Sequence, residues 1–209
     1  MSEPRLSDLD LAALLCSRVC HDIISPVGAI SNGLELFDDQ DIDEETRQTA
    51  LEMVRASAKT ASAKLKFCRI AFGAAGSAGA SIDMGEAGEI ALAFMGSEKV
   101  RLDWQAPREN RPKQQVKLLL NMLLMAMSGV PRGGLVTVQA GAAELTARAQ
   151  GDRAKVPEAI AGVLDGTADL TSLDARLVQP YYARLLSQSA GMALSMKMDG
   201  EDVLVRAAA

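Results

Sequence analysis

One histidine, His21, occurs in this 209-residue chain, within the stretch "SRVCHDIISPVGAISNG" from Ser17 to Gly33. Arg18 precedes it by three positions, Asp22 follows at once, and Ser25 and Pro26 come next. An imidazole beside a carboxylate has a defined chemistry. Asp22 can accept a hydrogen bond from one ring nitrogen, fixing the tautomer and leaving the other nitrogen free as a nucleophile. The ordinary alternative is a solvated surface histidine with no task. Metal chemistry is the competitor, because Cys16 and Cys20 stand one turn apart beside His21. Zinc needs three or four ligands converging on one point. On a helix Cys20 and His21 project about 100° apart, and the chain has no second histidine. No metal site is expected, and the cysteines read as small buried residues.

The element that must carry His21 is a helix from about Ser7 to Asp39. Leu15, Val19, Ile23, Ile30, Leu34 and Phe37 recur at helical spacing and predict its core stripe. His21 falls roughly 180° from the centre of that stripe. Ser17, Ser25, Gly28 and Asn32 share its face, with Leu14. Small side chains around one imidazole leave room for something to dock. Pro26 cannot donate to the Asp22 carbonyl, so a kink is expected one turn past the histidine, without an obvious packing gain.

After a polar turn at Asp38–Asp43, a second helix is expected from Asp43 or Glu44 to about Phe72. Leu51, Ala58, Leu65 and Phe72 repeat at seven. Two such helices make an antiparallel hairpin, and pairing two hairpins into a four-helix bundle would cover their apolar faces. A homodimer is therefore expected. The uncharged stretch Gly73–Ser81 reads as a linker between a first domain, residues 1–75, and a second, 76–209. The second half mixes both periods. Helices are expected at Met84–Met95, Lys113–Ser128, Lys155–Leu164 and Leu173–Ala190, the last capped by Thr171 or Ser172 and ended by Gly191. Strands are expected at Val100–Gln105, Gly133–Gly141 and Glu144–Gly151, with a closing hairpin across "DGE". The fold class is α+β, with helices on one face of a mostly antiparallel sheet.

Composition narrows the function. Apolar residues make up 48% and aromatics 3%, which favours helices packed through aliphatic side chains. A net charge of −5 without a basic stripe argues against nucleic acid as a partner. The acidic N-terminus is unlike a signal peptide, and the run Val116–Val130 is too short to span a bilayer. Three cysteines give no disulfide framework. A soluble cytoplasmic protein without a membrane partner is the expectation.

His21, Asp22, Ser25 and Pro26 match the H-[ED]-x-x-[TNS]-P pattern of the histidine-kinase H-box, and "VGAISNGLELF" resembles its usual continuation. "LLLNMLLMAMSGVPRGGLVTV" resembles the kinase N-box and following strand, with Asn121 at the first Asn. Met125 stands where the family has its Mg²⁺-holding Asn, and "RAQGDRAKV" replaces the D-x-G-x-G adenine loop. A thioether does not coordinate Mg²⁺, so no ATP binding is expected. Asn121 then reads as a buried polar side chain satisfied within its helix or by a neighbour.

A phosphorylatable hairpin joined to a degenerate kinase-like ATPase domain resembles the ChpT-type dimeric histidine phosphotransferases over nearly the whole chain. That resemblance implies a phosphorelay intermediate. His21 would take a phosphoryl group from the phospho-aspartate of a hybrid kinase's receiver domain and pass it to downstream response regulators, with Nε2 the phosphorylated nitrogen. Asp22 would support the ring. Arg18, otherwise a solvated charge, would meet an acidic receiver edge, and Ser17, Ser25, Gly28 and Asn32 would lie under the partner. The receiver would supply Mg²⁺, and the chain would need no cofactor of its own. The alternatives are an ATP-dependent histidine kinase and a non-catalytic dimeric adaptor.

Overall fold

The computed structural model describes residues 5–73 and 81–209. Helix α1 (Asp8–Asp38) begins where the Ser7 hydroxyl accepts the Asp10 amide, satisfying one of the donors a helix start leaves free. It runs unbroken through Pro26. Helix α2 (Glu44–Ala71) begins in the same way, with the Asp43 carboxylate accepting the Thr46 amide. Arg47 closes the turn between them. Its guanidinium donates to the carbonyls of Phe37 and Asp39 at 2.9 and 3.0 Å and lies over the Phe37 ring.

The closest approach of the two helices is through a small residue, Gly33. Pro26 and Gly33, seven apart, are the buried residues of α1, so Pro26 does have a packing role. A Cβ at Gly33 would lie 2.7 Å from Val54 Cγ2 and 3.3 Å from the Ala50 carbonyl. Only glycine allows the helices to approach this closely. Leu15, Val19, Ile23, Ile30 and Phe37 are half-buried and Leu34 is 45% exposed, so the single chain covers the expected core stripe only in part. Helical periodicity identified an apolar face but could not say what covers it.

The second half is built on a five-stranded sheet packed against helices, with a separate two-stranded ribbon. Its elements are β1 (Ser81–Asp83), α3 (Met84–Met95), β2 (Val100–Trp104), β3 (Asn110–Pro112), α4 (Lys113–Ser128), β4 (Gly134–Ala140), β5 (Glu144–Gln150), α5 (Glu158–Asp165), α6 (Val178–Ser189), β6 (Ala193–Asp199) and β7 (Asp202–Ala208). The strand order is β2-β4-β5-β7-β6. β2 runs parallel to β4, and all other neighbours are antiparallel. Inward residues alternate, with Val136 and Val138 on β4, Ala147 and Ala149 on β5, and Val203 and Val205 on β7 fully buried. α4 supplies the opposing layer through Val116, Leu119, Leu120, Leu123 and Met125, each fully buried. The expected α+β class and the closing hairpin are present.

Three details differ from the sequence-based expectations. β1 and β3 form a separate antiparallel ribbon that went unassigned. α6 starts at Val178 rather than Leu173, because Asp174 holds the preceding turn while Thr171 and Ser172 belong to a 3₁₀ turn capped by Asp169. α5 starts at Glu158 rather than Lys155. The expected linker and domain boundary fall largely on residues 74–80, outside the described residues.

The hairpin is embedded in the second half at both of its open ends. Phe67, Ile70 and Ala71 of α2 belong to the main core cluster, and the Phe67 ring stacks on Phe94 with centroids 4.2 Å apart. Leu6, Leu11 and Leu14 pack against Val163, Leu173 and Tyr181, and the Tyr181 hydroxyl accepts the Leu6 amide at 3.1 Å.

Candidate functional site

His21 lies near the middle of α1 with its side chain 60% exposed. Its Nδ1 is 3.4 Å from Asp22 Oδ1. A carboxylate only accepts, so this contact favours the tautomer with the proton on Nδ1 and leaves a lone pair on Nε2. The other Asp22 oxygen, Oδ2, accepts from Arg18 Nε at 2.8 Å. Both of these partners are largely covered, so Asp22 is held from one side and supports the ring on the other. Arg18 is therefore not a free solvated charge, because the i,i+4 spacing places it over Asp22.

Around the ring the expected face is open. Ser17, Ser25 and Asn32 are exposed, and nothing lies within 4 Å of where a Cβ on Gly28 would stand. Ile24, one turn beyond His21, is 71% exposed and was missed as a candidate. On the other side of the imidazole the second half raises a wall. Arg18, His21 and Asp22 line a cleft of about 400 Å³ together with Leu124 and Ser128 of α4, Ile160 of α5, and Arg176, Leu177 and Pro180 at the start of α6. The wall residues lie more than a hundred positions from His21, and no local pattern announces them.

The cysteines are not the buried pair expected from sequence. Cys16 and Cys20 are exposed and line an apolar groove with Leu15, Val19, Leu65 and Phe72. Cys68 in the same groove is buried, and burial pushes its thiol up to about 11. No group of three or more metal-ligating side chains occurs among the described residues. Asn121 is fully buried and hydrogen-bonded, as expected. Met125, in the kinase Mg²⁺ position, is fully buried in the core.

Residues 84–202 match the family model described as the histidine phosphotransferase C-terminal domain. The protein phosphotransferase ChpT of Brucella abortus (strain 2308) is 46% identical over 206 residues, 97% of each chain. This chain belongs to the ChpT-type histidine phosphotransferases. A solved 1.7 Å structure of a bacterial phosphotransferase superposes with a TM-score of 0.88 at 43% identity, covering 99% of this chain and 100% of the other. The family thus accounts for the whole arrangement, hairpin and sheet together.

In this phosphotransferase the cleft wall depends on Asp174. Its carboxylate accepts the Leu177 and Arg176 amides at 2.9 and 2.8 Å and fixes the turn that presents Arg176. The Leu177 amide is the main cause holding the carboxyl below its ordinary 3.8. A depressed carboxyl stabilises the fold above the ordinary value, and that stabilisation is lost as pH falls through the lower folded value. Asp174→Ala should cost about 1 kcal/mol at neutral pH, as for other lost caps. The gap between mutant and parent should close in strong acid. Thermal melts of both proteins from pH 7 to below 3.8 check this.

Proposed function

We propose that this phosphotransferase carries a phosphoryl group on His21 between receiver domains. His21 Nε2 attacks the phosphorus of an aspartyl phosphate on the receiver of a hybrid histidine kinase. The N–P bond forms as the aspartyl O–P bond breaks, and the receiver keeps the released carboxylate. The proton stays on Nδ1, where Asp22 supports the positive ring of phosphohistidine. The reverse sequence delivers the group to the aspartate of a downstream response regulator. The observation that carries this role is the exposed imidazole at the mouth of the cleft, braced by Asp22 and Arg18.

Transfer between two proteins demands little beyond an accessible nucleophile in line with phosphorus. The open face of Ser17, Ser25, Gly28 and Asn32 gives the receiver room, Ile24 offers an apolar contact, and Arg18 and Arg176 offer positive charge. Mg²⁺ belongs to the receiver's acidic pocket, and the chain uses no ATP. Two observations support that last point: Met125 is sealed in the core and the Asn121 amide is fully engaged.

The apolar band of Ile23, Val27, Ile30 and Leu34, with Cys16 and Cys20, lies on the side of α1 away from His21. A second copy covers it in a four-helix bundle, making the working form a homodimer in the cytoplasm. α1 is also long and apolar enough to cross a membrane, with mean hydropathy 1.3. Its central Arg18–His21–Asp22 group and the docking of its first turns onto Tyr181 favour the bundle instead.

The deciding experiment incubates the protein with a phosphorylated receiver domain and follows label onto the chain. The expected product is acid-labile and base-stable, as phosphohistidine is. Absence of such label from every receiver offered would leave a dimeric adaptor as the better description.

A further inference from the structure

At the base of the cleft, three helices meet through buried polar groups. The last carbonyls of a helix have no partner within it, and Ala71 is the last residue of α2. Its carbonyl accepts from Asn121 Nδ2 of α4 at 3.1 Å, while the same nitrogen donates to the Lys117 carbonyl at 2.8 Å. Gln179 of α6 then donates from Nε2 to both the backbone carbonyl and Oδ1 of Asn121, each at 3.0 Å. Asn121 is fully buried and Gln179 is 3% exposed. Buried amides joined in this way are costly to disturb, because each lost partner strands another polar group.

Position gives this junction its significance. Gln179 itself lines the His21 cleft, between Leu177 and Pro180, with Arg176 just before them. Leu124 stands one turn beyond Asn121 on the same helix. The chain of bonds therefore runs from the hairpin that carries His21, through Asn121, to the wall that faces His21.

We propose that Asn121 and Gln179 are positioning residues that lock the cleft wall at a fixed reach from His21, so that an arriving receiver meets a rigid frame. This inference rests on the relay role proposed above, since the frame matters only if a receiver docks in it. Neither amide touches the transferred group. Their effect passes through Leu124, Arg176, Leu177 and Pro180, and so through receiver docking rather than through the chemistry of the imidazole.

The test uses the full chain and a receiver domain of a hybrid histidine kinase, phosphorylated on aspartate by acetyl phosphate and Mg²⁺. Gln179→Met keeps the size of the side chain and removes its donors. Asn121→Ser is the second variant, too short to reach Ala71. In each, KM for the phosphorylated receiver should rise about tenfold, with kcat within about twofold of the parent, the size expected for a lost buried hydrogen bond. Hydrogen exchange should quicken at the end of α2 and the first turn of α6. Unchanged KM despite faster exchange overturns the positioning role, as does a raised KM with exchange unaltered. Unfolding of both variants would assign the pair to stability alone and also overturn it. A parent chain that accepts no phosphate defeats the relay role instead, and exchange in the variants still reports whether the junction holds the two halves together.

Discussion

His21→Ala should reduce phosphoryl transfer to background, a loss of at least about 10³-fold, while leaving the fold unchanged. The loss is complete in principle because no other imidazole exists in the chain to take over. The fold is spared because the ring is 60% exposed and makes one long contact, at 3.4 Å to Asp22. Substitutions at such positions usually change stability by less than about 0.5 kcal/mol. The measurement pairs a transfer assay from a phosphorylated receiver with a thermal melt. Residual acid-labile, base-stable label on the variant would remove His21 from the relay.

Asp22→Asn belongs to the same argument and separates support from attack. The amide can still accept from Nδ1 through its oxygen, but it no longer offers a negative charge to the phosphorylated ring or to Arg18. Transfer should slow by about tenfold rather than vanish, in line with a hydrogen bond to a charged group becoming neutral. Arg18 then loses its partner at 2.8 Å.

What the sequence made legible follows from the range of the signal. The hairpin was visible because its period persists over some thirty residues, and His21, Asp22 and Pro26 sit within one turn or two of each other. The Arg18–Asp22 pair is equally local, an i,i+4 spacing along one helix. β1 and β3 have three residues each, too few to establish any period. Asn121 was legible as a buried amide, whereas its partners Ala71 and Gln179 lie 50 and 58 positions away and emerge only from packing. The cleft wall was invisible for the same reason. The error on Cys16 and Cys20 has a similar origin: an apolar face marks a surface to be covered, and a sequence does not say by what.

That surface carries the second large effect. If the proposed homodimer forms, Val27→Glu combined with Leu34→Glu should convert it to a monomer, shifting the solution mass from twice 22.1 kDa to 22.1 kDa. In the single chain both side chains are 45% exposed, so each carboxylate stays hydrated and the hairpin itself survives. The close approach to α2 comes at Gly33, which the substitutions leave alone. In the proposed four-helix bundle the same positions would turn toward the second copy. Each buried carboxylate without a partner costs several kcal/mol, and two copies bring four of them together. The association constant should fall by more than about 10⁴. Because His21 faces away from this band, the monomer should still accept phosphate, and light scattering with a transfer assay on the same sample checks both outcomes. A variant that remains dimeric would place the interface elsewhere, and one that dissociates but takes no label would show that the partner copy helps to build the site.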